Sequence, residues 1–300
     1  MKHRKNKKGF TLIELLVVMS IIALLLSILM PALGRARAEA MLTKDQTQVK
    51  SIYSGFSFWA PSHNGKYPIP GLEQREADPA TGNFIKGRGP ENLLVNDHAS
   101  MLSMCIMQQL FTTDAIIAPT EQSDVVYPME FYDYEAYDAS SSGWTFWDED
   151  FANDLENDCN NSYAIIPITG KRKHQNWGIS TNNPTGFALI GTRGPVDGEE
   201  DPYSGGNLFH GIERSWKGVT TFGDGHTEIL ETFYPIASTY LNDSGAAVAD
   251  NLFLEETDQA QDSDYGNGQG QGADIVLTHV KVGDVTDQGK GGGCSDYLHD

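Results

Sequence analysis

From Phe10 to Met30 the chain holds 21 positions with one charged residue among them, Glu14. A helix of that length is ~30 Å long, close to the hydrocarbon thickness of a bilayer. From Ala32 to Gln48 the pattern turns polar, with Arg35, Arg37, Glu39, Lys44 and Asp45 spread among helix formers and no internal proline. Val49, Ile52, Tyr53, Phe56, Trp59 and Ala60 then recur at helical spacing, a stripe suited to packing on a globular body. Pro61 and Asn64-Gly65 end the pattern. The sequence therefore predicts one long helix over residues 10–60, membrane-spanning over 10–30 and amphipathic in its second half. It should be kinked at Pro31, where a backbone hydrogen bond is lost.

Beyond the helix the pattern shortens. Residues 71–92 are a Gly/Pro-rich loop, and Ala99 to Phe111 reads as a short amphipathic helix whose Met stripe belongs to a core. Ser162 to Thr169 and Gly186 to Thr192 are short apolar runs bounded by Gly, Pro and Asn, as strands are. Val219–Phe222 and His226–Leu230 flank Gly223-Asp224-Gly225, a hairpin signal that makes His226 a strand residue at the turn. Ile275 to Val282 reads as a last strand. The predicted fold class is α+β, a long N-terminal helix packed on an antiparallel β-sheet head with long loops. The expected organisation is a basic leader over 1–9, the helix over 10–60, a β-rich head over 61–288 with an acidic–aromatic insertion over 130–158, and a flexible Gly-rich tail over 289–300.

Charge sharpens the picture at both ends. Lys2, Arg4, Lys5, Lys7 and Lys8 precede the apolar run, and the whole chain carries a net charge of −20. Without residues 1–9 it would hold 16 Lys/Arg against 41 Asp/Glu, a net charge of −25. A basic segment beside a long apolar helix predicts the N-terminus inside and the head outside. The acidic bulk argues against nucleic acid as a partner, because phosphate contacts need clustered Lys and Arg.

Glu14 is the residue that needs explaining. A carboxylate in an apolar helix is costly and is a functional candidate by default. Cleavage between Gly9 and Phe10 would create an α-ammonium four residues before Glu14, able to neutralise it within one helix or on another copy. A secretory signal peptide is the first alternative, with Ala36-Arg37-Ala38 or Ala38-Glu39-Ala40 as its cleavage site, but signal h-regions have only about 7–15 apolar residues. A plain membrane anchor explains the length and leaves Glu14 without a role.

Gly9-Phe10-Thr11-Leu12-Ile13-Glu14 resembles the cleavage and methylation site of type IV prepilins and type II secretion pseudopilins. That resemblance implies a prepilin peptidase that cuts after Gly9 and N-methylates Phe10, and a Glu14 that meets the Phe10 amine of an adjacent subunit in a filament. It also makes Pro31 the family's helix-kinking proline. Gly65-Lys66-Tyr67-Pro68 is similar to the segment that follows the long helix in pseudopilins. Asn161-Ser162-Tyr163, Phe187-Ala188-Leu189-Ile190 and Phe222-Gly223-Asp224-Gly225-His226 resemble, in order, the heads of large planctomycete-type members. The chain departs from them in spacing: 13 residues separate His210 from Asp224, and Arg214 takes the nine-residue position.

The remaining candidates are weaker. Residues 130–158 interleave acids with aromatics, either as a Ca²⁺-stabilised loop or recognition surface, or as an insertion with packed rings and solvated acids. Asp262 to Gly268 lacks the ligand spacing of a calcium loop. No metal ligand set, catalytic motif or cofactor is expected, Ca²⁺ at the insertion being the one alternative. Cys105, Cys159 and Cys294 permit one disulfide or none, with no pairing readable. The expected function is a structural subunit of a type II secretion pseudopilus or type IV pilus-like filament, not an enzyme. Its implied partners are the prepilin peptidase, other pilin or pseudopilin subunits and the inner-membrane assembly machinery. Its implied place is the inner membrane, single-pass, and then the filament. The alternative is a membrane-tethered binding module whose acidic–aromatic head recognises a substrate or surface glycan.

Overall fold

The long apolar run and the stripe after it form one helix, α1, Leu12–Trp59, 48 residues and so ~72 Å long. The computed structural model describes residues 10–85, 87–137, 145–180, 184–195, 198–210, 215–241, 246–255, 275–286 and 293–294. The expected leader over 1–9, most of the expected tail and the 262–268 run lie outside the described residues. The chain divides into two compact units, residues 1–43 and residues 44–300.

The described part of the first unit is helix from Leu12 onward, long and apolar enough to cross a membrane. Its apolar side chains are exposed, and the helix runs on through Pro31. The two serines in the apolar run return their hydroxyls to the backbone, Ser20 to Val17 O at 2.8 Å and Ser27 to Leu24 O at 2.7 Å. Such back-bonding satisfies a polar group where no water is at hand.

The second unit is built on the end of α1. Val49, Ile52, Phe56 and Trp59 are buried there, at the positions the stripe predicts. Phe56 packs on Trp177 at 5.4 Å between ring centres, and Tyr67 meets the same indole edge-on at 5.5 Å. The indole N–H of Trp177 donates to Pro68 O at 2.8 Å, so the Tyr-Pro segment after the helix is tied into the core. α2, Pro70–Glu73, follows, and α3, His98–Met107, is buried along nearly its whole length. Trp59, Met104, Phe146 and Trp147 form one hydrophobic cluster, which joins the Met stripe to the acidic–aromatic stretch.

Four antiparallel strands make the main sheet in the order β1 (Tyr163–Ile165), β2 (Ala188–Thr192), β3 (Gly218–Phe222) and β4 (Thr227–Leu230). Tyr163 pairs with Thr192, Gly191 with Thr220 and Thr221 with Thr227, and a register shift lies between Ala188 and Ile190. A short helix α4, Gly170–Gln175, separates β1 from β2. The β3–β4 hairpin turns at the expected glycines. Gly225 sits at φ +82°, and a Cβ there would meet the Tyr53 ring at 2.5 Å, so conformation and space both demand glycine. From α1, Tyr53 donates its hydroxyl to Gly223 O at 3.0 Å and Lys50 donates to Gly225 O. Two small ribbons follow, β5 (Thr239–Leu241) with β6 (Ala247–Ala249), and β7 (Val285–Thr286) with β8 (Gly293–Cys294).

The expected last strand over Ile275–Val282 is replaced by a buried, mostly irregular segment. It touches β1 through one bridge, Ile165 with Thr278, in which each N–H donates to the other's carbonyl at 3.0 and 3.1 Å. Ile275, Val276, Leu277 and Val280 are buried as a strand's residues would be, whereas Val282 is exposed. Its other backbone groups go elsewhere, Leu277 N–H to Leu252 O and Val280 O to His98 N–H, so no ladder extends. The expected Ala99–Phe111 helix stops at Met107, and Gln109 beyond it adopts φ +56°.

Candidate functional site

Thr11 immediately precedes α1, and its hydroxyl accepts the Glu14 N–H at 3.2 Å. Glu14 answers with one oxygen, Oε2, which accepts both the Thr11 backbone N–H and the Thr11 hydroxyl at 2.8 Å. This is a capping box: a Thr before the first turn and a Glu three positions on satisfy each other's N–H groups at a helix start. The sequence reading gives Glu14 a pairing role toward the Phe10 amine and no role at its own helix start. The Thr-x-x-Glu spacing ahead of an apolar run was the signal for the cap. Oε1 of Glu14 makes none of these bonds. Phe10, one position before the cap, is 73% exposed, while Gly9 lies outside the described residues. Pro31 is an exposed residue within the helix. Of the four predicted site residues, the structure places Phe10 and Glu14 at the same helix end and Pro31 separately along α1.

A second acid on α1 has the opposite surroundings. Asp45 is fully buried in the second unit. The Tyr163 hydroxyl donates to Oδ1 at 2.5 Å, and Oδ2 accepts from His210 Nε2 at 2.7 Å and from the Thr192 hydroxyl at 3.3 Å. Strand β1, strand β2 and the chain just past the 3₁₀ turn Gly205–Leu208 thus each send one donor to the helix. Burial, then the neighbouring Asp45, pushes the Tyr163 phenol well above its ordinary range. The Ser-Tyr strand and the histidine singled out by resemblance therefore share one buried partner. The sequence analysis places Asp45 in the polar part of the helix before the stripe, yet positions 45, 49, 52, 56 and 59 fall on one helical face.

A second buried acid, Asp97, caps α3. Asp97 Oδ1 accepts the Ser100 N–H at 2.7 Å and Oδ2 accepts the Ser100 hydroxyl at 3.0 Å. Burial outweighs these bonds and pushes its carboxyl up to about 6. Next to it, His98 Nδ1 accepts the Val280 N–H at 3.1 Å, which leaves Nε2 to donate to Ile166 O at 3.0 Å. Burial holds this imidazole neutral, with its pKa down at about 4.

Among the described residues, no group of three or more His, Cys, Asp or Glu side chains converges as metal ligands would. Cys105 and Cys159 are buried free thiols, so neither takes part in a disulfide; burial raises both, Cys159 to about 12. In the acidic–aromatic insertion, where residues 138–144 lie outside the described set, Phe146, Trp147 and Phe151 are buried. Phe131 and Tyr127 stay exposed beside Glu130, Asp150 and Asp158, around a cavity of about 590 Å³.

A family model, the prokaryotic N-terminal methylation motif, matches residues 4–30. No curated protein and no solved structure matches the chain. The matched residues hold the basic run, Gly9, Phe10, the Thr11–Glu14 cap and the apolar segment, which supports a prepilin-like precursor processed by a prepilin peptidase. The apolar helix with this motif is consistent with a membrane-anchored, single-pass protein. Methylation motif, long apolar helix and antiparallel head together are consistent with a type IV pilin-like family.

Proposed function

We propose that the chain is cut after Gly9, N-methylated on Phe10, and assembled as a structural subunit of a type IV pilus-like filament or type II secretion pseudopilus. The basic leader keeps the N-terminus in the cytoplasm and places the head outside the inner membrane. Once cut, the α-ammonium of Phe10 on one subunit meets the Glu14 carboxylate of another as the apolar helices pack. The observation that carries this reading is the exposed Glu14 at the matched motif, with Oε2 occupied by its own cap and Oε1 left for a partner.

Two variants separate capping from pairing. Glu14→Gln keeps a side chain able to close the capping box but has no charge, whereas Glu14→Ala loses both functions. Under this proposal both are cleaved and carry N-methyl-Phe10 by mass spectrometry of the mature N-terminus, and both fail to enter filaments. Incorporation of Glu14→Gln at the wild-type level would overturn the pairing and reduce Glu14 to a cap. A mature N-terminus other than Phe10 would overturn the processing.

A tethered binding role for the head is the second reading, favoured by the groove between the exposed Phe131 and Tyr127 rings and the carboxylates of Asp150 and Asp158. Glycan capture by full-length protein that is lost in Phe131→Ala supports it, and capture independent of Phe131 removes it.

A further inference from the structure

Glu91, between α2 and α3, holds two nitrogen donors on one oxygen. Its Oε1 accepts from the Lys173 ammonium at 2.8 Å and from Nδ2 of the Asn96 carboxamide at 2.7 Å. The two nitrogens are therefore no further apart than these two bonds laid end to end. Lys173 belongs to α4, 82 positions from Glu91, and Asn96 stands directly before the Asp97 cap of α3. The Lys173 side chain is 3% exposed and Asn96 is 1% exposed, while Glu91 keeps 21% of its side chain at the surface. The oxygen of the carboxamide is held as well, because Asn96 Oδ1 accepts the Gly71 N–H at 2.9 Å. A Cβ at Gly71 would lie 2.8 Å from that oxygen, so glycine is what lets the backbone come so close.

A lysine amine becomes a nucleophile once it loses a proton, and a carboxylate within hydrogen-bond reach takes that proton. A carboxamide carbon is a poor electrophile until a donor is fixed where negative charge develops on its oxygen. Its nitrogen leaves only when protonated, and the same carboxylate can return the proton. Glu91 touches both the attacking and the leaving nitrogen, and the Gly71 N–H already sits on the oxygen. Holding such groups together inside the fold replaces an improbable encounter in solution.

We propose that Lys173 and Asn96 join in an intramolecular isopeptide bond, with Glu91 as the proton carrier. Glu91 Oε1 takes one proton from the ammonium, and the freed Nζ lone pair attacks Asn96 Cγ. The carbonyl electron pair moves onto Oδ1, facing the Gly71 N–H. Glu91 then protonates Nδ2, the electron pair on Oδ1 returns, and the Cγ–Nδ2 bond breaks. Nζ gives up a second proton, which departs with the ammonia as ammonium. The products are a secondary amide between Nζ and Cγ, one ammonium ion, and Glu91 as the carboxylate it was at the start. No oxidant, reductant or further reactant is consumed. The link would restrain the unfolded chain as a disulfide does, in a head whose Cys105 and Cys159 are free thiols. It is independent of how the N-terminus is processed.

The test uses the full-length protein purified in detergent, with its N-terminal residue identified on the same sample. Its intact mass should be lower than that of the unlinked chain by one ammonia. Proteolysis and tandem mass spectrometry should give one branched peptide joining Lys173 to Asn96. Lys173→Arg, which keeps the cation and cannot form the amide, should restore the full mass. Glu91→Gln, which keeps the shape and cannot carry the proton, should lower the linked fraction tenfold or more although both linked residues remain. The wild-type digest decides alone if a variant does not fold. Full mass with Lys173 and Asn96 on separate peptides would overturn the proposal and leave an ion pair beside a buried amide. A loss of ammonia that persists in Lys173→Arg would overturn it equally, and a linked fraction unchanged in Glu91→Gln would overturn the proton transfer.

Discussion

Glu14 and Asp45 are both carboxylates on α1, and their surroundings make them opposites. Glu14 is exposed, and one of its oxygens is spent on its own helix start while the other stays free. Asp45 is fully buried, and both of its oxygens are taken by donors from three other places in the head. Removing a carboxylate from water requires that donors replace the water, so burial consumes its hydrogen-bonding capacity within the fold. An exposed carboxylate keeps that capacity for another molecule. On this helix, burial separates an acid whose oxygens are both taken up within the head from one that keeps an oxygen at the surface.

The largest test of that difference is Asp45→Ala, which leaves the Tyr163 hydroxyl, His210 and Thr192 without their acceptor. It should lower the unfolding free energy of the head by about 3–5 kcal/mol. Urea unfolding followed by the fluorescence of the buried Trp59, Trp147, Trp177 and Trp216 measures it. A loss under 1 kcal/mol would mean that the buried acid does not organise the head.

Asp97 sharpens the comparison, because it caps a helix as Glu14 does and is buried as Asp45 is. Its folded pKa of about 6 lies above the ordinary 3.8, so its contribution to stability is fully present below pH 3.8 and is lost as pH rises to 6. His98, at about 4 against 6.5, works in the opposite sense, and its contribution grows as pH rises through that interval. Asp97→Asn removes the first effect alone. Relative to the wild type, it should gain about 2 kcal/mol in unfolding free energy between pH 4 and pH 6. A constant difference across that range would refute the burial effect at Asp97.

Tyr163→Phe keeps the ring of β1 in place and removes one donor to Asp45. The expected loss is about 1.5–3 kcal/mol, typical of a hydrogen bond to a charged group. Its double-mutant cycle with Asp45→Ala should be strongly non-additive, because the two changes remove the same contact. The smallest effect belongs to Glu14→Ala, which should leave the urea midpoint of the head unchanged while filament incorporation is lost. A shifted midpoint would show that the two acids are not independent.

What the chain wrote locally was legible. Length and apolar content specify the membrane-sized helix, a few adjacent residues specify the methylation motif, and Gly-Asp-Gly between two short apolar runs specifies the β3–β4 hairpin. The Thr11–Glu14 cap was equally local and could have been read from its spacing. The partners of Asp45 could not be, since Tyr163, Thr192 and His210 lie 118, 147 and 165 positions away. The same holds for Glu91 with Lys173, which are 82 positions apart. Ile275–Val282 shows the converse: its composition suits a strand, yet neighbouring chain takes most of its backbone groups. By itself the sequence determined the long N-terminal helix, its capacity to enter a membrane and the methylation motif at its start, because these depend on neighbours a few residues apart. Only the tertiary structure decided which charges are buried and what satisfies them, because a carboxylate's cost and its partners are set by whatever the fold brings within about 3 Å of it.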